Sequence, residues 1–436
     1  MKAARIFALT AVLALLAMAG AAQAAIQITI TKGAQGALPI AIVPFGWAGP
    51  QALPTDVAQV VSGDLARSGR FKAFPRSDML EKPTEAANIN FGNWRAVGVD
   101  DVVIGRIQPA GSGYTTEFQL FDVYTNRQLL GYRLPVKAGA LRAAAHRISN
   151  MIYRQLTGQR GAFGTQIAFV ESQKVGGRLR YSLVIADADG FNPHTVAVSN
   201  EPILSPTWSP DGSRIAYSAF INHHPGIYIQ TLATGQRVRV TERPGLNSAP
   251  AFSPDGNRLA LVLSSSPGNP DIYIYDLRTG KLRQLTHQSS IETEPAWTPD
   301  GNNLLFTSDR GGSAQVYEQP VDGGGARRLT YDGSYNARAQ VAPDGKTIAM
   351  VHREHGDLHI AVMNITTGVL RVLTDGELDK SPSFAPNGSM IIYAGVFNGK
   401  NELAAVSVDG NVHQQLTSEE GEISDPAWSP YLSDGR

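Results

Sequence analysis

From residue 165 onward, short apolar runs recur on a nearly constant step. Arg214-Ile-Ala-Tyr217 is answered by Arg258-Leu-Ala-Leu261, Asn303-Leu-Leu-Phe306, Thr347-Ile-Ala-Met350 and Met390-Ile-Ile-Tyr393. Each run follows a turn, beginning with Pro206-Thr-Trp-Ser-Pro-Asp-Gly212 and repeated at Pro250, Pro295, Ala339, Pro382 and Pro426. The second proline of each copy stands at 210, 254, 299, 343, 386 and 430, giving steps of 44, 45, 44, 43 and 44 residues. Short β-type runs on such a period mark a propeller, and six copies predict six blades. Within each unit the apolar run is a second strand. A third strand follows (Gly226-Ile-Tyr-Ile229 in the first copy), then a turn at Thr234-Gly235 and a fourth strand ending near Val240-Thr241.

The two ends of the array predict how the ring closes. Gln166-Ile-Ala-Phe-Val170 matches a second strand, yet no turn motif precedes it. Asp425-Pro-Ala-Trp-Ser-Pro430 is a first strand with no unit after it. The C-terminal half-unit should complete the blade begun at 165, which removes the open edges of the array. The aromatics Trp208, Phe252, Trp297, Phe384 and Trp428 should wedge between blades, with Val341 in their place in the fourth copy. The turn residues Asp211, Asp255, Asp300 and Asp344 each stand alone, which favours turn chemistry over a shared ion.

Before residue 165 the pattern changes. Lys2 and Arg5, the apolar run Ile6–Ala19 and Ala22-Gln-Ala24 read as a secretory signal over 1–24, too short to span a bilayer comfortably. Ile26, Ile28 and Ile30 alternate along a short segment, 25–36, that ends in two glycines and can pair with its own domain or with another protein, all three isoleucines being buried when it docks. Residues 37–160 mix the two periods: strands at Ile40–Val43, Asp101–Ile104, Tyr114–Val123 and Leu129–Pro135, and helices at Leu53–Ser68 and Leu141–Leu156, the latter closed by Gly158. The expected fold is therefore an α+β N-terminal domain over 37–160, followed by an all-β six-bladed propeller of four-stranded blades over 161–436.

Composition narrows the function. Lysine plus arginine equals aspartate plus glutamate at 38 each, which supplies no footprint for nucleic acid. There is no cysteine, hence no disulfide, thiolate metal site or lipid-modified N-terminal Cys. No later stretch reaches 18 apolar residues, so the expected mature protein is exported and does not span a membrane. No phosphate loop, Rossmann fingerprint or zinc spacing appears, and no cofactor is expected. A hydrolase carried on a propeller would need Gly-x-Ser-x-Gly, which is absent. His352-x-x-His355 could chelate zinc from a turn, but no third ligand accompanies it. A propeller enzyme, or a binder of small ligands in the channel, is the alternative to a protein-binding scaffold.

Three further stretches carry a resemblance: Val43-Pro-Phe-Gly-Trp-Ala-Gly-Pro50, Leu156-Thr-Gly-Gln-Arg-Gly-Ala-Phe163 and the terminal Pro426-Ala-Trp-Ser-Pro-Tyr431. With the signal and the domain order, they make the chain resemble the TolB family of the Tol–Pal system over essentially its whole length. The resemblance implies a monomeric periplasmic binding protein, not an enzyme, that supports outer-membrane integrity and cell division. In that family one propeller mouth holds the lipoprotein Pal, and the mature N-terminus binds TolA. Further outer-membrane or peptidoglycan-associated partners are also implied. Carried onto this chain, the Pal-facing residues are Asn247, Ser248, Ala249, Glu292, Thr293, Glu294, Ala337, Arg338, Lys380 and Asp425. The TolA-binding residues are Ala25, Ile26, Gln27, Ile28, Thr29 and Ile30, switching between docked and available.

Overall fold

A computed structural model describes residues 27–33, 36–264, 268–417 and 421–432; the expected signal at 1–24, with Ala25 and Ile26, lies outside them. The N-terminal domain is a mixed sheet in the order Phe71–Ala73, Leu38–Ile42, Asp101–Ala110, Gly113–Asp122, Arg127–Val136. The first two pairings are parallel and the others antiparallel. Helices α1 (Val57–Arg67) and, after the short α2 (Phe91–Ala96), α3 (Leu141–Thr157) complete the domain. Val61 and Leu65 of α1 join Ile148 and Ile152 of α3 in one core with Ile40, Phe118 and Leu120 of the sheet. Trp94 of α2 fills a second core with Val43, Val102 and Ile104. The first helix begins later than its apolar pattern predicts, because the Asp56 side chain accepts from the Gln59 amide and caps it at Val57. Phe71–Ala73 and α2 were not expected; both are too short to show a period.

The propeller has the six four-stranded blades that the repeat predicts. Blade 2 spans Ile203 to Thr241, blade 3 Asn247 to Gln284, blade 4 Glu292 to Arg328, blade 5 Asn336 to Val372 and blade 6 Lys380 to Thr417. Blade 1 takes Gln166–Val175, Arg178–Asp187 and His194–Ser199 from the start of the array and Glu422–Trp428 from its end. The closing strand runs antiparallel to the first, with Trp428 opposite Ile167. Trp428 Nε1 donates to Thr165 Oγ1 at 2.9 Å and its amide donates to Ser383 Oγ of blade 6 at 2.9 Å, so this strand ties both its neighbours.

The turn motif builds the contacts between blades. Trp208 Nε1 donates across to Ala427 O at 3.0 Å and Trp297 Nε1 to Ala251 O at 2.9 Å. Arg214 lies 5.3 Å from the Phe252 ring centroid and Arg258 4.7 Å from that of Trp297. Where Val341 interrupts the aromatic series, the matching position of the blade before it is Asn303, which has no cation to offer. The aspartates are consumed inside their own turns. Ser209 Oγ donates to Asp211 Oδ1 at 2.5 Å, and Asp211 also accepts from the Ser213 amide at 3.0 Å and its hydroxyl at 2.7 Å. Partial burial opposes ionisation of Asp211, but these hydrogen bonds outweigh it and bring the carboxyl down to about 2.

The N-terminal segment forms a fifth strand on blade 6. Gln27–Lys32 pairs antiparallel with His413–Thr417, the outermost strand of that blade. Ile28 packs half-buried against the blade core, whereas Ile30 is 40% exposed, which corrects the expectation that it would be buried; Ile26, the third isoleucine, lies outside the described residues. The ladder slips between Ile30 and Lys32, where the strand leaves the blade for the N-terminal sheet.

Two outcomes follow from these contacts. Trp428→Ala removes an aromatic that bridges the closure and should cost about 3 kcal/mol, read as a lower urea midpoint. Ser209→Ala should raise the Asp211 pKa toward the ordinary value of about 3.9. Asp211 stabilises the fold above that ordinary value and loses the effect as pH falls toward about 2, so carboxyl NMR titration and acid stability should shift together.

Candidate partner-binding face

Each inner strand breaks its ladder once. In blade 3, Ser248 pairs with Val262 but Ala251 pairs with Ala260, and the same slip occurs in the other five inner strands. The bulged residue adopts positive φ at all six places: Ser205, Ala249, Glu294, Arg338, Ser381 and Asp425, between 48° and 59°. In five of them the next residue is proline (206, 250, 295, 382, 426), which has no N–H to lose from the ladder. Non-glycine residues in this region are strained and persist only where surrounding structure holds them. The six form a ring, and five of them, Ser205, Ala249, Glu294, Arg338 and Ser381, line an axial channel of about 580 Å3, which continues past the prolines and aromatics of the turn motif.

The ring carries charge. Arg338 Nη2 meets Asp425 Oδ1 at 2.7 Å, joining blades 5 and 1, and Ser381 Oγ donates to the same oxygen at 3.1 Å. Glu294 accepts from Thr307 Oγ1 at 2.8 Å. Burial disfavours the Arg338 charge, but Asp425 and Glu294 more than restore it and hold its pKa above the usual arginine value.

Of the residues expected at this mouth, Ser248, Ala249, Thr293, Glu294, Arg338, Lys380 and Asp425 keep some exposure, whereas Asn247, Glu292 and Ala337 are buried. Asn247 accepts from Thr241 Oγ1 at 2.9 Å and donates to Arg243 O at 2.7 Å, bracing the crossing from blade 2 to blade 3. Glu292 accepts from Arg310 and from Ser290 Oγ at 3.1 Å and braces the entry to blade 4. These side chains shape the face from beneath. Sequence reasoning missed Ser205 and Ser381, although both stand five residues before a motif proline, as the other four ring members do. It also missed the apolar rim on the blade crossings, where Ile291 is 50% exposed and Tyr331 72%. His352 lies within a strand and not in the expected turn: it is buried with Nδ1 2.8 Å from Asn336 Oδ1, while His355 is exposed in the hairpin.

The opposite end of the propeller is taken by the N-terminal domain. Asn387 Nδ2, in the blade 6 turn motif, donates to Arg160 O at 3.1 Å, and the Arg160 guanidinium lies 3.7 Å from the Tyr431 ring centroid. Gly69 ends α1 with φ 67°, and a Cβ there would come within 2.0 Å of Val412 Cγ2, so helix and blade meet backbone to side chain. The bulge ring is thus at the uncovered mouth.

Residues 26–129 match the TolB amino-terminal domain and residues 153–432 the TolB beta propeller domain. The chain belongs to the TolB family. It is similar to the Tol-Pal system protein TolB of Thioalkalivibrio sulfidiphilus, 52% identical with 94% of this chain and 95% of that one covered. The corresponding protein of Methylococcus capsulatus is 50% identical, with 95% and 97% covered. The crystal structure of TolB from Acinetobacter baumannii superposes with a TM-score of 0.87 at 42% identity, covering 93% of this chain and all of the other. Membership places the chain among Tol–Pal system proteins. Among the described residues no helix is long and apolar enough to cross a membrane.

If the ring charges act as a pair, Arg338→Ala and Asp425→Asn should each destabilise. The double variant should cost less than their sum, with a coupling of about 1–3 kcal/mol in a denaturation cycle.

Proposed function

We propose that this TolB-family protein is a non-catalytic periplasmic adaptor of the Tol–Pal system. Its uncovered propeller mouth binds Pal and its mature N-terminal segment binds TolA, in support of outer-membrane integrity and constriction at division. The observation that carries this reading is the segment Gln27–Lys32 lying as a removable fifth strand on blade 6. Blade 6 is complete with four strands, so the fifth can leave with the Ile28 contact as its cost to the core. Docking gains a ladder of hydrogen bonds, each about 0.5–1.5 kcal/mol net, and partial burial of Ile28; ordering the segment costs about 1–2 kcal/mol per residue. Terms of such similar size let a partner with modest differential affinity tip the balance. At the mouth, strained residues held on a closed ring form a rigid surface with a charged centre and apolar crossings around it, which suits a folded protein and an interface of about 1,200–2,000 Å2.

Pull-down from envelope extract tests both contacts. Deleting 25–32 should abolish TolA capture and retain Pal. Glu294→Lys and Arg338→Glu should each weaken Pal binding at least about tenfold by calorimetry, with Asp300→Asn in a turn motif as the unaffected control. Unchanged TolA capture by the deletion would refute the N-terminal assignment, and unchanged Pal affinity in both charge variants would refute the mouth assignment.

A further inference from the structure

The joint between the two domains contains a buried ionic cluster that the binding surfaces do not use. Asp64 and Arg67 come from α1, Arg142, His146 and Ser149 from α3, and Asp187 and Asp189 from the turn that ends the third strand of blade 1. His146 is 4% exposed. Its Nδ1 lies 2.8 Å from Asp64 Oδ2, which also accepts from Ser149 Oγ at 2.6 Å. Its Nε2 faces Asp189 Oδ2 at 3.8 Å and has no hydrogen-bond partner. Arg67 pairs with Asp64 and stands 3.5 Å from Asp189; Arg142 pairs with Asp189 and stands 3.8 Å from Asp187.

Charge counting gives the cluster its meaning. Three carboxylates face two guanidinium groups, so a neutral imidazole leaves one negative charge in excess and a protonated one balances it. Geometry gives the same answer. With Nδ1–H donating to Asp64, a neutral ring aims its Nε2 lone pair at the Asp189 carboxylate, which repels it. A protonated ring has an N–H at each end, one for the carboxylate of its own domain and one for that of the propeller. The surrounding joint has room to move, since a cavity of about 50 Å3 adjoins the cluster between Arg67, Asp189, Tyr153, Phe163, Gln414 and Trp428.

We propose that His146 is a proton-operated latch, which when protonated clamps the N-terminal domain onto blade 1 through Asp189 and when neutral lets the joint loosen. Burial alone would lower the His146 pKa, but the hydrogen bond to Asp64 and the charges of Asp64 and Asp189 outweigh it and hold it above the usual histidine value. The clamp is therefore complete below the ordinary value of about 6.5 and is lost as pH rises through the folded one. Asp187 is the other titrating group of the cluster: burial and the neighbouring Asp189 raise its pKa above the usual carboxylate value, while His146 and Arg142 oppose that rise, and once ionised it supplies the third carboxylate charge.

The absence of cysteine permits a clean test. Donor and acceptor dyes are placed on cysteines introduced at the exposed positions Thr125 and Ala233, one in each domain, and single-molecule transfer efficiency is followed from about pH 6 to about pH 9. The parent should shift toward an open population that grows about tenfold for each unit by which the His146 pKa in the closed joint exceeds that in the open one. His146→Gln, which can still donate to Asp64 but carries no charge, should be open and flat across the range. Asp189→Asn, a turn substitution outside both hydrophobic cores, should also lose the titration if the histidine substitution impairs folding. A parent that does not respond to pH, or variants that titrate as the parent does, would overturn the latch.

Discussion

The closing strand Glu422–Trp428 is the constraint on which the structure depends. A propeller assembled from consecutive units has two unpaired edges until its ends meet, and here they meet inside one blade through the Trp428–Ile167 register. The same strand supplies Asp425 to the bulge ring, receives the Trp208 indole on Ala427 O and reaches Ser383 of blade 6 through its backbone. Closure, channel geometry and the charge at the mouth are therefore one event. Because that strand follows all other blades in the chain, the charged pair Arg338–Asp425 exists only once the ring is shut.

The two ends of the propeller do different physical work. At the uncovered end, bulges and prolines stop the inner strands from continuing their ladders, and buried Asn247 and Glu292 lock the crossings beneath the surface. The crossings at Asn247 and Glu292 cannot rearrange without giving up buried hydrogen bonds. At the covered end, the domain joint is polar, contains a cavity and uses long side chains, so its energy is divided among many small terms. The docked N-terminal strand touches the covered side, for it pairs with the strand whose Gln414 donates to Arg67 O at the end of α1. Rigidity at one mouth and compliance at the joint are properties of how polar groups are satisfied at each.

Legibility in the sequence followed the range of the interaction. The repeat could be read because a Pro-Asp-Gly turn and an apolar run are local, and six copies average out the noise of any one. The helix over 141–157 was readable for the same reason, its apolar period and Gly158 being adjacent in the chain. Phe71–Ala73 was not, because three residues show no period and gain their place only by pairing with Leu38–Ile40. Ile30 misled, since alternation predicts which residues share a face but not whether that face is covered. Glu292 looked like a surface charge, and Arg310, which buries it, is supplied eighteen residues later. Ser205 and Ser381 went unread as ring members because serine beside proline is ordinary in any loop.

By itself the sequence determined the blade number, the strand content of each blade, the half-blade at each end and the family, all of which rest on turn chemistry and periodicity written in neighbouring residues. Only the tertiary structure decided which mouth stays open, which expected contact residues are buried, and that His146 stands between the carboxylates of two domains. Those outcomes come from contacts between residues tens to hundreds of positions apart, as Arg338 and Asp425 or Asp64 and Asp189 are, and no local pattern records who will face whom once the ring has closed.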